Sequence, residues 1–359
     1  MQKKLTEQGL RYLEEGQYSK AAEVLTLLIK SYPKNAEAHH MLAVIELEKG
    51  NYEIAMHLVK IALGLNDKNA VFYTTLGNIE MQRKNFLAAE QALLNALKFD
   101  DNRIEYKYNI AHFYLTQNKY EQAIDYYYQI LRENPSHYLS MRGITVSYLF
   151  SNEPGIALEH ANTWSKAFAT YFEPYYYLGL CHFALNDLAA ALSAYDQALS
   201  FNTTNHEIIT AIGACYRALG NSTIAETYLH KSLSIEANNP HALYNLGCIN
   251  LDKKDFASAR SFLLNAIHLD QNYAEPICAL GYIELVNGDV EVALDYFAQA
   301  QAADPVNPKP KMLMATAMLH KDELDKNWPQ ISSTANLSSL LKNIQSWDDD
   351  NFRIQNLIG

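Results

Sequence analysis

Residues 172–205 read FEPYYYLGLCHFALNDLAAALSAYDQALSFNTTN, and residues 206–239 read HEIITAIGACYRALGNSTIAETYLHKSLSIEANN. Laid one over the other, they place Leu178-Gly179 on Ile212-Gly213 and Ala191 on Ala225, a period of 34. A fixed period of about 20 to 50 residues marks a repeat architecture, in which one unit cannot bury its apolar face without a neighbour. The same register carries outward in both directions. Leu76-Gly77, Leu246-Gly247 and Leu280-Gly281 fall on it, and Ala55, Ala89, Ala123, Ala157, Ala191, Ala225, Ala259 and Ala293 follow it without an insertion. Nine units result: 2–35, 36–69, 70–103, 104–137, 138–171, 172–205, 206–239, 240–273 and 274–307. A degenerate tenth first helix runs from 308 to about 320, with Met314, Ala315 and Met318 expected at its seam.

Within a unit, places 4, 7, 8 and 11 share one face of a first helix, and places 20, 24 and 27 one face of a second, the spacing of an apolar stripe. Gly or Ala at place 8 and Ala at place 20 remove bulk where the paired helices cross, so the axes approach closely while Tyr114, Tyr148 or Tyr216 fills the space alongside. Asn35, Asn51, Asn85, Asn118, Asn152, Asn186, Asn221 and Asn287 stand in or beside the turns, with Gly50, Gly220 and Gly288. Pro33, Pro135 and Pro305 close second helices.

These residues resemble the tetratricopeptide repeat pattern: an apolar–small pair at places 7 and 8, an aromatic at 11, Ala at 20, an aromatic at 24, a small residue at 27 and Pro at 32. The resemblance covers over four fifths of the chain. It implies an all-α fold, a right-handed α-solenoid of tandem helix-turn-helix repeats over 1–307, with 308–359 forming a degenerate repeat and a capping segment. The fifth unit departs from the pattern, with Thr145 at a small apolar place, Pro154 entering its second helix and Trp164 where Ala is usual. It is expected to be an ordinary unit repacked, the alternative being a local change of curvature.

In the family, places 2, 5, 6, 9, 12 and 13 line a concave groove. Carried onto this chain, the resemblance makes His40, Val44, Thr74, Asn78, Tyr108, Asn109, His112, Arg142 and Val146 candidate groove residues. It adds Tyr176, Tyr177, Leu180, Phe183, Arg217, Tyr244, Asn245 and Tyr282 further along. The result is an apolar and aromatic surface with sparse polar points, and tyrosine is a residue that binding hot spots favour. The family's grip on a terminal carboxylate is matched by Asn78 and Asn109 but not by Thr74, Leu139 and Gly143, so those two Asn are expected to hold a ligand's backbone instead.

Charge and motifs narrow the function. A formal charge of −11 repels phosphate backbones and anionic lipid, so nucleic acid is not expected as a partner. No stretch approaches the about 18 apolar residues of a membrane span and the N-terminus lacks a leader pattern, which points to a cytoplasmic protein. Cys181, Cys215, Cys248 and Cys278 are spaced by about one repeat, unlike metal or redox pairs, and are expected as free thiols. No phosphate-cradling loop or converging nucleophile–base set occurs, so neither an enzyme nor a cofactor is expected. The expected function is an interaction module or adaptor holding an extended or helical apolar segment of another protein, with self-association left open. The alternatives are a cytoplasmic chaperone of bacterial secretion or pilus assembly, or the regulatory subunit of an enzyme such as a glycosyltransferase, whose catalytic domain would be a separate chain. Beyond the tenth first helix, Leu337, Leu340, Leu341, Ile344 and Trp347 recur at helical spacing and suggest a terminal cap, or else a segment lying in the groove.

An elongated helical array should give a dominantly helical circular dichroism spectrum and a scattering radius of gyration well above about 21 Å, the compact value for this length. A radius at the compact value would contradict it.

Overall fold

A computed structural model describes residues 1–305 and 307–327 of the 359-residue chain, with backbone alone for 319–327. Among these residues every regular element is an α-helix. First helices are α1 Gln2–Glu14, α3 Ala36–Glu48, α5 Ala70–Gln82, α7 Ile104–Thr116, α9 Tyr138–Phe150, α11 Phe172–Ala184, α13 His206–Ala218, α15 Pro240–Asp252 and α17 Ala274–Asn287. Their partners are α2 Tyr18–Ser31, α4 Tyr52–Leu65, α6 Phe86–Phe99, α8 Tyr120–Glu133, α10 Pro154–Ala167, α12 Leu188–Phe201, α14 Ser222–Ile235, α16 Phe256–Leu269 and α18 Val290–Ala303. A last helix, α19, spans Lys309–Asn327. The helices form two compact units, 1–147 and 148–359, and the division falls inside α9.

Within each unit of the fold, the helix pairs close on one recurring contact, between place 8 of the first helix and place 24 of the second. A Cβ added to Gly77 would lie 2.8 Å from Leu93, one on Gly179 2.4 Å from the Tyr195 ring, and one on Gly281 2.5 Å from the Phe297 ring. The Ala at place 20 is fully buried in every pair, Ala21 to Ala293. Place-11 tyrosines stack on place-23 rings of their own second helix: Tyr114 on Tyr126 at 5.8 Å, Tyr148 on His160 at 5.4 Å and Tyr216 on Tyr228 at 5.6 Å. Tyr114 also donates its hydroxyl to Glu90 at 2.8 Å. In the fifth repeat Thr145 is fully buried and satisfies its hydroxyl on the Met141 carbonyl, Pro154 takes the first position of α10, and Trp164 is fully buried.

Two turn chemistries alternate. Between the helices of a pair, place 15 takes the left-handed conformation each time: Gly16, Gly50, Lys84, Asn118, Asn152, Asn186, Gly220, Lys254 and Gly288 all have positive φ. Between pairs, the Asn at place 34 caps the next first helix, Asn35 accepting from Ala38 N–H, Asn69 from Val71, Asn205 from Ile208 and Asn239 from Ala242.

None of the four cysteines is in a disulfide; Cys181, Cys215 and Cys278 are buried. The tenth first helix differs from its expectation. It runs to Asn327, and its packed seam is Pro310, Leu313 and Ala317; of the expected residues Met314 is half-buried against the same cluster, while Ala315 is exposed and Met318 is 51% exposed. These are places 3, 6 and 10, which face the preceding second helix, here α18; Met314, Ala315 and Met318 belong to the face that a first helix turns to its own partner. The cap expected over 337–347 lies outside the described residues.

Lys254 has φ 59, where a Cβ costs about 1 kcal/mol or more. Lys254→Gly should therefore raise the unfolding free energy read from urea titration by about 0.5–1 kcal/mol. Gly179→Ala should lower it by about 1–3 kcal/mol through overpacking on Tyr195, whereas Gly155→Ala, which meets nothing within 4 Å, should not destabilise.

Candidate functional site

The residues that the family pattern puts on the concave face sit on first helices, and His40, Tyr108, Arg217 and Tyr244 among them contact the next first helix or the turn before it. In residues 1–147, His40 stacks on Phe72 with centroids 4.7 Å apart, and its Nε2 lies 2.8 Å from the Thr75 hydroxyl. Burial pushes the His40 imidazole down to about 4. Val44 is half-buried, Thr74 returns its hydroxyl to the Ala70 carbonyl, and Asn78 is exposed. Tyr108 lies parallel to His112 at 6.0 Å, tilted to Tyr127 and edge-on to His137. His112 is exposed, and partial desolvation together with the Arg142 guanidinium lowers its pKa. Asn109 and Arg142 are half-buried and Val146 is buried.

In residues 148–327, Tyr176 and Tyr177 are half-buried and meet edge to face at 5.5 Å; Tyr176 also leans on Tyr195, and Tyr177 on Trp164. Leu180 and Phe183 go into the apolar core of this unit. Arg217 donates through Nε to Asn245 Oδ1 at 3.0 Å, and Asn245 Nδ2 donates to the His241 carbonyl at 2.9 Å. His241 Nδ1 is 3.0 Å from the Tyr273 hydroxyl, and Tyr273 packs on Tyr244 at 5.5 Å. Tyr244 and Asn245 are buried and Tyr282 is half-buried. Burial holds the phenols of Tyr176, Tyr244 and Tyr273 well above their ordinary range, so all three stay neutral.

Three connected groups emerge: His40–Phe72–Thr75, Tyr108–His112–Tyr127–His137, and Arg217–Asn245–His241–Tyr273–Tyr244. Of these partners Thr75 and His241 stand at groove places 6 and 2 without having been named as candidates, whereas Phe72, His137 and Tyr273 lie off the groove places. Their signal is an interval of about 28–35 residues, visible only once successive first helices are set side by side. Among the described residues no cluster of His, Cys, Asp and Glu could hold a metal ion, and no helix is long and apolar enough to cross a membrane.

Three family models described as tetratricopeptide repeat match the sequence, one over residues 6–70, one over 172–205 and one over 104–137 and 240–273. No curated protein matches it. Among solved structures, a tetratricopeptide repeat protein from Parabacteroides merdae aligns with TM-score 0.50 at 18% identity, over 79% of this chain and 98% of that one. The APC/C hetero-tetramer Cut9–Hcn1 aligns with TM-score 0.48 at 15% identity, over 96% of both chains. MamA residues 41 to the end, from Desulfovibrio magneticus, align with TM-score 0.43 at 18% identity, over 48% of this chain and 98% of that one.

The His40 shift sets a sign for pH dependence. Its folded pKa lies near 4 and its ordinary value is 6.5, so between these the unfolded chain takes the proton first. Stability should fall as pH drops through that window, by up to about 3 kcal/mol from this group. Urea midpoints at pH 7 and pH 4.5 should show a smaller loss for His40→Phe than for the parent chain, and an NMR titration should find the His40 imidazole neutral at pH 5.5.

Proposed function

Because the chain is a tetratricopeptide repeat protein, we propose that it is a non-catalytic adaptor that holds a segment of a partner protein along the concave face of its first helices. Repeats of this family are protein-interaction scaffolds, and the finer statement rests on one observation. Half-buried rings and amides, Tyr108, Asn109, Tyr176, Tyr177 and Tyr282, stand on the first helices with part of their surface in solvent, and neighbouring rings pack on Tyr108, Tyr176 and Tyr177. A rigid amphipathic ring with one open face gains contact area on binding at small entropic cost. Leu180, Phe183, Tyr244 and Asn245 serve this surface from beneath, as packing that fixes the exposed groups. Asn78, exposed, and Asn109, half-buried, suit a hold on the backbone of an extended ligand.

The placement is tested by site-specific photo-crosslinking in the native host followed by mass spectrometry. A crosslinker at position 108 or 176 should trap a partner that one at Leu87, 81% exposed on a second helix, does not. With that partner in hand, Tyr108→Ala should weaken binding by about 1–2 kcal/mol and leave the melting transition nearly unchanged. Trapping from position 87 alone would put the interface on the second helices and overturn the reading.

A further inference from the structure

In the nine described helix pairs, place 8 of the first helix is buried and place 11 is nowhere exposed, because the second helix of the pair lies against both. α19 breaks this rule. Its place 8, Ala315, is exposed and Met318 at place 11 is 51% exposed, although its backward face packs on α18 like that of any other first helix. Among the described residues no second helix follows it: α19 runs on through Asn327, past place 15, where every other pair turns. We propose that the face of Met314, Ala315 and Met318 is covered by residues 337–347 of the same chain, which serve as an out-of-register second helix for the tenth repeat.

Residue size on the two sides argues for this occupant. Ala315 keeps the small residue that a helix crossing needs, at the place where Gly213 meets Leu229, Gly247 meets Leu263 and Gly281 meets Phe297. A face left to solvent has no need of a methyl-sized residue flanked by Met314 and Met318. On a second helix the residues that meet the first stand at places 20, 24 and 27, an interval of four and then three. Leu337, Leu341 and Ile344 repeat that interval, and Leu340 widens the same stripe. Leu341 thus takes the part of Leu229 and Leu263. Leu337 is larger than the Ala of place 20, so this pair crosses at a wider distance than the others. The residues in register cannot do the same: place 20 is Asn327, still within α19, and Pro329 stands at place 22.

Reach and charge favour the chain's own segment over a second copy. The helix from Met318 to Asn327 is about 14 Å long, and the chain from Asn327 to Leu337 spans up to about 33 Å, enough to return along it. A head-to-tail copy would have to offer the backward face of α1. There places 3, 6 and 10 are Lys4, Glu7 and Arg11, all charged and exposed, where α19 has Pro310, Leu313 and Ala317. A symmetric pair of α19 helices would bury little beyond Met314, Ala315 and Met318 of each copy, well short of the about 800 Å² per partner that a stable interface needs.

Photo-crosslinking and hydrogen exchange on the full chain decide the matter. A crosslinker at position 318, in an equal mixture of unlabelled and 15N-labelled protein, should join that position to residues 337–347 of the same chain. Its yield should not change over about a hundredfold range of protein concentration. Amides of 337–347 should exchange about tenfold or more slower than those of an open chain. Ala315→Glu, at a position exposed in the structure, should cut that protection about fivefold or more and leave exchange in α13 and α15 unchanged. Leu341→Glu should do the same from the other side. A crosslink to a second chain, capture of 337–347 from position 108 or 176 instead of 318, exchange of 337–347 at open-chain rates, or protection untouched by both variants would each overturn the proposal.

Discussion

The close crossing of two helices at place 8 is the contact on which the remaining structure depends. It brings a hydrogen or a methyl group on the first helix against a leucine, tyrosine or phenylalanine on the second, as at Gly77 with Leu93, Gly179 with Tyr195 and Gly281 with Phe297. A larger side chain there would drive the axes apart and open the seam that Ala at place 20 closes from the other side. The same crossing sets the angle at which a first helix leaves its pair. It therefore decides which of its residues turn to the preceding repeat, at places 3, 6 and 10, and which stay open on the concave face. The seam of α19 shows this division plainly: Pro310, Leu313 and Ala317 are buried on the backward face, while Ala315 and Met318, which face the other way, are exposed.

Turn chemistry keeps the register from drifting. A left-handed residue at place 15 of every pair, and an Asn cap at place 34 from Asn35, Asn69, Asn205 and Asn239, impose two reversals of different geometry. Lys84 and Lys254 accept that conformation without the chemistry for it, which implies that the crossing contact, not the turn, holds those pairs together. Where place 34 is not Asn, as at Arg103, Tyr171 and Tyr273, the next helix starts without a side-chain cap. At Tyr273 the gain lies elsewhere, since its ring and hydroxyl complete the Tyr244–His241 group.

The helical pairing was legible because its determinants are local and repeat. Gly179 with Tyr195, or Tyr216 with Tyr228, are separated by a fixed interval inside one unit, so nine copies reinforce a single reading. The seam of α19 was misread because the pattern records which residues are apolar, not which of two faces a terminal helix has covered. Met314, Ala315 and Met318 are the right residue types for a face turned to a helix partner of their own. The candidate groove was legible in position and opaque in state. Place numbers put Tyr108 and Tyr244 on the same surface, yet one keeps an open face and the other is 5% exposed beneath Tyr273. That difference comes from the residue that closes the same repeat, His137 beside Tyr108 and Tyr273 beside Tyr244, which the place rule does not read.

The groove is thus the part of the molecule where the repeat stops determining the answer. Seams are satisfied by size and apolarity, properties that many residues share, so each repeat solves the same packing problem. The concave face is settled by single contacts across neighbouring first helices: an imidazole against a hydroxyl at His40 and Thr75, a guanidinium against an amide at Arg217 and Asn245. Each such contact occurs once, and each removes one polar group from competition for a ligand. On the proposed face, what stays available is the remainder after these internal bonds are made: open phenol faces and the exposed amide of Asn78. A scaffold of identical units acquires a specific surface by this subtraction, which is why the polar groups left unpaired between repeats carry more information about the ligand than the apolar ones that define the fold.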